Sequence, residues 1–356
     1  MEDLISLDSI NEYLYHLDMD ISGYLQNFSL QTMWKQLLAG DLHLDMQTIF
    51  SIFGNIFFKE LAASAALLAQ LTIISVICLI LTNLKSVFEK NEIAVLGRAV
   101  VYLLLTAIAL STFSMAISSA KAAIDNMYGF LYALLPILMP LMAAMGGASV
   151  VALLNPALLF ALSVLMGLVR NLIFPMIYFS AILRLVSNIS PQFNLNKLAD
   201  LFKSAAMGLL SVCTAVFIAF LGISGVAAAS VDGLAIKAVK SASGIFIPVV
   251  GRSLADALDS ILGTALVLKN VIGILGAVVL LVVCALPALK IIVQALMYKL
   301  AAAIIQPLGE EQLAETLTGL GNSLMQVFAV MAICCLFFFF VVAIVIGAGN
   351  MTMMMR

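Results

Sequence analysis

The feature that most constrains this chain is a run of 44 residues without a charge, residues 126–169, which lies between Asp125 and Arg170. About 20 helical residues cross a hydrocarbon core of about 30 Å, so this run is long enough for two crossings. Its prolines predict a bent or broken helix, because proline removes an amide donor and clashes with the preceding turn. Irregular backbone at membrane depth persists only where protein or a wet cavity satisfies its polar groups. We therefore predict a broken helical hairpin here, with these residues as a candidate pore or gate: Pro136, Pro140, Gly146, Gly147, Asn155 and Pro156.

The composition of the whole chain indicates the same class. Of the 356 residues, 64% are hydrophobic and 10% are charged, whereas ordinary soluble domains carry roughly 25% charged residues. Apolar segments long enough to cross recur up to residue 346, and two segments, 171–183 and 290–305, are doubtful as crossings. The sequence predicts an all-α polytopic membrane protein with seven to nine transmembrane or re-entrant helices. A net charge of −2 without a basic stripe argues against binding to nucleic acid.

The first 58 residues differ from the rest and predict short amphipathic helices. We divide the chain into an extracytoplasmic N-terminal segment, residues 1–58, and a membrane domain, residues 59–356. The first 20 residues are acidic and lack the basic region of a secretory signal, so we expect a signal peptide to have been removed or left out of the sequence.

Basic residues predict the orientation of the membrane domain. The connection that contains Lys85, Lys90 and Arg98 is the densest basic cluster before the second crossing, and positive residues in short loops stay in the cytoplasm. The N-terminus is then outside. Residues 184–204 are predicted to form a cytoplasmic loop. If both doubtful segments cross, the acidic connector around residues 310–315 lies outside and Arg356 lies inside.

Several basic residues at the ends of crossings are predicted to anchor the protein in the membrane. An arginine at the bilayer centre costs about 2.5–3.5 kcal/mol on insertion scales, so such side chains reach the interface or face protein. We favour anchoring over a role in gating a substrate. The predicted anchors are Arg98, Arg170, Arg184, Lys290 and Lys299.

Residues 252–269 predict an amphipathic helix that is too polar to span the membrane. Apolar residues recur on one face and charged residues on the other. We expect this helix to lie in the membrane interface. Two roles remain as alternatives for it: packing on the helical bundle, and binding a partner. The candidate partner-binding residues are Leu254, Asp256, Leu258, Asp259 and Leu262.

The chain shows none of the common sequence signatures of an enzyme or cofactor site. It has no phosphate-binding loop, no H-E-x-x-H and no G-x-S-x-G motif. Its five cysteines lie in apolar runs without a C-x-x-C spacing, and its two histidines lie in the N-terminal segment. We predict a protein that is not an enzyme and has no catalytic, cofactor-binding or metal site.

Several motifs, in order along the chain, resemble one known family. They include GIFIPVVGRSLADALDSILGTALVLKNVIGILG at residues 244–276, MYKLAAAIIQPLG at 297–309, LGNSL at 320–324 and IGAGNMTMMMR at 346–356. The stretches LLPILMPLMAAMGG and RLVSNIS are also similar. Together they resemble the stage III sporulation protein AE family over most of the chain from about residue 58 onward.

The resemblance implies a non-enzymatic role in endospore formation, in the mother-cell membrane that surrounds the forespore. It implies partners in the same complex, including a secretion-type ATPase and ring-forming proteins, and membrane lipid. The protein would be the pore or export platform of a channel-like, secretion-like assembly. Two alternatives stay open: a scaffold that recruits the ATPase and ring subunits without its own pore, and a stand-alone secondary transporter. The transporter is disfavoured because no internal repeat or coupling carboxylates are visible. Association of several copies of the chain is also left open.

Overall fold

A computed structural model of the chain describes residues 46–87, 92–144, 148–189, 194–246 and 250–354. Within these ranges the backbone is helical apart from short connections, and no strand occurs. A π-helical turn occurs at Val169–Ile173 and a 3₁₀ turn at Gln306–Leu308. The predicted all-α class is confirmed. The α-helices in these ranges are α1 Met46–Val87, α2 Glu92–Ala144, α3 Ala148–Leu168, α4 Phe174–Ile189, α5 Asn196–Phe246, α6 Val250–Ile305 and α7 Glu311–Met354.

The described residues contain six stretches that are long and apolar enough to cross a membrane. This number is lower than the seven to nine expected from the sequence, because neighbouring predicted crossings belong to one helix. Residues 99–120 and 127–144 are both part of α2, and residues 271–305 are all part of α6. Isolated charges such as Lys121 and Lys290 do not end a helix in the way that a capping glycine or proline does. The six stretches are Gly54–Ile80, Ala99–Ala143, Pro156–Asn188, Asn196–Gly222, Lys269–Leu308 and Glu311–Ile346.

The prolines of the uncharged run do not break their helices. Helix α2 continues through Pro136 and Pro140, and α3 continues through Pro156. A proline in a membrane helix is tolerated where neighbouring groups satisfy the freed backbone carbonyl. The helices are therefore not broken at the three prolines, and a bend at these positions stays a prediction. Residues 145–147, which separate α2 from α3, lie outside the described residues.

Two other predicted boundaries fall inside long helices. Residues 46–58 belong to α1, which runs on into the first crossing, and residues 1–45 lie outside the described part of the chain. Residues 252–269 are the first part of α6 and are not a separate helix. The division of the chain into two domains stays a prediction.

Close packing of α2, α6 and α7 forms the centre of the bundle. A methyl group at Gly276 of α6 would lie 2.6 Å from Leu134 Cδ2 of α2, so the absence of a side chain at Gly276 lets the buried Leu134 side chain pack directly against α6. The Tyr298 hydroxyl, which is fully buried, donates a hydrogen bond of 3.0 Å to the carbonyl oxygen of Ala109. These contacts run along the helices and place α6 antiparallel to α2.

Side-chain contacts bring several helix ends together at one end of the bundle. Tyr102 near the start of α2 contacts Thr316 near the start of α7, and Asn188 at the end of α4 contacts the same threonine. The α4–α5 and α6–α7 connections therefore lie at the same end. The sequence placed the acidic connector, residues 310–315, and the polar segment, residues 184–204, on opposite sides of the membrane if both doubtful segments cross. That arrangement is wrong, because residues 290–305 continue α6 and do not turn back.

Candidate functional site

A polar cavity of about 660 Å³ lies at this end of the bundle. The last turns of α4 and α6 and the first turns of α5 and α7 surround it. The lining is rich in charged and amide side chains in a chain that is otherwise mostly apolar. The lining residues are Arg184, Asn188, Asn196, Asp200, Lys299, Ala302, Ala303, Gln306, Glu311, Ala314, Glu315, Thr318, Gly319 and Asn322.

An ion pair and two hydrogen bonds hold α4 against α5 on one side of the cavity. The Arg184 guanidinium donates to the Asp200 carboxylate. Deeper in the contact, the buried Ser180 hydroxyl donates to the Ala199 carbonyl oxygen at 2.7 Å. The backbone amide of Leu195 donates to Ser187 Oγ at 3.1 Å and fixes the start of α5. The wall formed by α4 and α5 is thus set by side-chain to backbone bonds as well as by charge.

A hydrogen-bond network centred on Thr316 lies beside the cavity, on another face of α7. The Thr316 hydroxyl donates to the Gln312 carbonyl oxygen at 2.8 Å and accepts from the Asn188 side-chain amide at 3.0 Å. Because a hydroxyl has one proton, Tyr102, whose hydroxyl lies 2.9 Å away, must donate to Thr316. The Gln312 amide in turn donates to the Asn188 carbonyl oxygen. The network joins α2, α4 and α7 through one buried threonine.

Two glycines of α7 leave space for the stems of the basic side chains that line the cavity. A methyl group at Gly319 would lie 3.0 Å from Arg184 Cδ. A methyl group at Gly321 would lie 3.1 Å from Lys299 Cγ and 3.2 Å from the Ala295 carbonyl oxygen. The aliphatic stems of Arg184 and Lys299 therefore cross α7 where it has no side chain, while their charged ends reach the cavity.

The cavity also contains charges of both signs that do not pair with one another. Lys299, Glu311 and Glu315 line the same space, but no ion pair joins them in the part of the chain that the structure describes. Opposite charges that share a cavity and remain apart can bind complementary charges from outside the chain.

The candidate pore residues are not brought to this cavity. Pro136 and Pro140 lie on the exposed surface of α2, and Pro156 lies on the exposed surface of α3. Gly146 and Gly147 lie outside the described residues, as does the side chain of Asn155. The pore assignment stays a prediction.

The candidate partner-binding residues share the first part of α6. Only the backbone is described there, and the five side chains fall outside the described set. Their role in binding a partner stays a prediction. The residues are Leu254, Asp256, Leu258, Asp259 and Leu262.

The structure places the five predicted anchors in different surroundings. Arg184 and Lys299 line the polar cavity. Arg170 lies in the π-helical turn and donates to Asp125 of α2 at 2.9 Å, with both side chains about half exposed. Lys290 is partly buried in α6, and Arg98 lies in α2 with a side chain outside the described set.

Sequence reasoning missed the residues that connect the cavity to the rest of the bundle, above all Tyr102 and Thr316. Both are single polar residues in apolar surroundings, a pattern that also fits side chains bonded within their own helix. The sequence does contain one signal for the cavity. Polar residues occur at the ends of α4 and α6 and at the starts of α5 and α7. Within the described ranges no group of three or more histidine, cysteine, aspartate or glutamate side chains is placed to hold a metal ion.

Comparison with known proteins agrees with the resemblance found in the motifs. A family model described as Stage III sporulation protein AE matches residues 28–349. The Stage III sporulation protein AE of Bacillus subtilis (strain 168) is 35% identical over 352 residues, which cover 99% of this chain and 88% of that protein. No solved structure matches the chain.

Proposed function

Because this chain belongs to the stage III sporulation protein AE family and is a helical membrane protein of sporulation, we propose that it is the membrane subunit of a multi-protein channel or secretion-like assembly. In that assembly it is a pore or export-platform component, and it acts without catalysis of its own. The assembly connects the mother cell with the forespore.

The observation that carries this proposal is the length of the apolar helices. The apolar stretch of α2, Ala99–Ala143, has 45 residues, which corresponds to about 67 Å at 1.5 Å per residue. The hydrocarbon core is about 30 Å thick, and transmembrane helices tilt by at most about 40°. Even at that tilt, the stretch would rise about 50 Å. Part of this apolar surface must therefore be covered by protein and not by lipid.

Two levels of charge suggest where the bilayer lies. The polar cavity marks one level, and the Arg170–Asp125 pair marks the other. Along α2, Tyr102 and Asp125 are separated by about 35 Å, and along α4 and its π-helical turn Arg184 and Arg170 are separated by about 21 Å. These separations bracket the thickness of a hydrocarbon core. The uncharged hairpin of α2 and α3 then extends beyond the second level.

The exposed surface of this hairpin supports contact with other subunits. Tyr132 of α2 is 63% exposed and Phe160 of α3 is 71% exposed, so the chain itself does not cover them. Pro136, Pro140 and Pro156 are exposed on the same two helices. A path through the assembly would accordingly form between subunits, including further copies of this chain.

The proposed location is the mother-cell membrane around the forespore, with the N-terminus outside the cytoplasm. Six crossings would put the start of α1 and the end of α7 on that same side. The polar cavity would then face the cytoplasm, as the positive-inside rule expects for a site with Arg184 and Lys299. The proposed partners are other subunits of the stage III complex, including a secretion-type ATPase and ring-forming proteins. A scaffold without its own pore has the same partners, whereas a stand-alone transporter would leave the hairpin uncovered.

Photo-crosslinking in sporulating cells tests whether other subunits cover the hairpin. A benzophenone amino acid replaces Tyr132 or Phe160 in the full chain, and replaces Phe179 of α4 as a control. Phe179 is an aromatic residue 53% exposed between the two charged levels. The proposal predicts protein adducts at positions 132 and 160 and lipid adducts at 179. Lipid adducts alone at all three positions would contradict it.

A further inference from the structure

Positive and negative groups reach the polar cavity at different levels along α7. Gly321, which seats Lys299, lies farther from the start of α7 than the two glutamates do. Along the helix axis, Glu315 is about 9 Å and Glu311 about 15 Å nearer the start of α7 than Gly321. Gly321 faces both the stem of Lys299 and the Ala295 carbonyl oxygen. Lys299 and the two glutamates therefore enter the cavity from different levels along α7, and no ion pair joins them within the described residues.

We propose that this cavity binds a short peptide of two or three residues through both of its free termini. The ammonium group of Lys299 would bind the peptide carboxylate, and Glu311 and Glu315 would bind the peptide ammonium group. An extended chain covers 3.3–3.6 Å per residue, so two or three residues span about 7–11 Å. This span matches the offset between the Lys299 seat and Glu315.

The remaining lining suits such a ligand. A volume of about 660 Å³ lies within the range of small-molecule sites. Amide side chains of Asn188, Asn196 and Asn322 offer donors and acceptors to a peptide backbone. The Arg184–Asp200 pair satisfies two further charges internally, which leaves Lys299 and the two glutamates to bind the termini. The proposal stands apart from the assembly role, because it rests on the cavity alone.

Peptide binding to the purified full chain in lipid nanodiscs tests the proposal by calorimetry. The probes are trialanine, N-acetyl-trialanine, which lacks the ammonium group, and trialaninamide, which lacks the carboxylate. Alanine and pentaalanine vary the length. We expect trialanine to bind at least tenfold more tightly than either blocked peptide, alanine or pentaalanine.

Variants assign each terminus to its partner. In Lys299→Gln, trialanine and trialaninamide should bind equally, because the group that reads the carboxylate is gone. In Glu311→Gln/Glu315→Gln, trialanine and N-acetyl-trialanine should bind equally. Lys290→Gln changes the same residue type on the same helix outside the cavity lining, and should leave every affinity unchanged.

Three outcomes would overturn the proposal. The first is no binding of any of the five probes to the folded protein at millimolar concentration. The second is a preference for free termini that persists in both cavity variants. The third is pentaalanine binding as tightly as trialanine, because the cavity would then read a single chain end, as in docking of a protein terminus. Thermal unfolding of each variant separates loss of binding from loss of the fold.

Discussion

Single residues on α7 set the shape of the polar cavity. Thr316 uses its one proton and both lone pairs, and so joins three helices at a buried position. Gly321 lets Lys299 cross α7 beside the Ala295 carbonyl oxygen. Removing either feature should affect stability in a way that a similar change elsewhere would not.

The bond between Tyr102 and Thr316 should appear as a coupling energy. Tyr102→Phe removes the donor and Thr316→Val removes the acceptor, and the two changes should couple by about 0.5–1.5 kcal/mol in a double-mutant cycle. Reversible unfolding in mixed micelles gives the free energies. As a control, Thr214→Val removes a hydroxyl that bonds to Leu210 O of its own helix, and it should be additive with Tyr102→Phe. Additivity of the Tyr102 and Thr316 changes would contradict the network.

Glycine-to-alanine changes should have opposite effects at two positions. Alanine is favoured over glycine in a helix by up to about 1 kcal/mol, so Gly208→Ala, where the added methyl meets open space, should stabilise the protein. Gly321→Ala places a methyl 3.2 Å from a backbone carbonyl oxygen that cannot move aside, and should destabilise it by about 1 kcal/mol or more. Unfolding temperatures of the two variants measure the difference. Equal stabilisation in both would show that α6 and α7 are not so close at Gly321.

Composition and charge placed Arg184 and Lys299 near membrane boundaries, and the polar character of residues 184–204 was evident. The contact of Arg184 and Lys299 with α7 could not be predicted from the sequence. A lysine at the end of an apolar helix anchors in the interface equally well without a cavity. Glycine at position 321 carries no signal of close packing when only one sequence is read.

At the scale of helices, the sequence predicts where apolar segments lie better than it predicts where they turn. The end of α2 at Ala144 and the start of α3 at Ala148 flank the expected glycine pair. By contrast, Lys121 with Asp125, and Lys290, read as interruptions in the sequence but lie inside α2 and α6. An isolated charge can stay in a helix if it finds a partner, as Asp125 does with Arg170, and such partners are known only from the tertiary structure.

The path of the chain predicts which connections share a side of the membrane. Asn194→Cys at the start of α5 and Leu308→Cys at the end of α6, each in a chain with the five native cysteines changed to alanine, should react with thiol reagents from the same side. That side should be the cytoplasm, so only a membrane-permeant reagent should label intact cells. Protein with its membrane opened by detergent is the control for reactivity. Labelling of the two positions from opposite sides would contradict the shared end of α4–α5 and α6–α7.

At the scale of the whole molecule, two apolar helical stretches in the described residues are longer than one bilayer is thick. The 40-residue stretch Lys269–Leu308 of α6 corresponds to about 60 Å. In the described residues α6 therefore has a long apolar stretch as α2 does. Membrane class and family follow from the sequence, because they depend on composition and motifs. The proposed contact with other subunits does not follow from the sequence, because the argument for it depends on consecutive apolar segments forming one helix, which the sequence alone divides into separate crossings.

The central claim is that this protein works as a membrane subunit of a larger assembly. It is tested most directly by purifying a tagged copy in mild detergent from sporulating cells, followed by mass spectrometry and the native mass of the eluted complex. We expect a mass several times that of the 37.9 kDa chain, with a secretion-type ATPase and ring-forming proteins present. Recovery of the chain alone, as a small uniform species under conditions that keep other membrane complexes intact, would contradict the account.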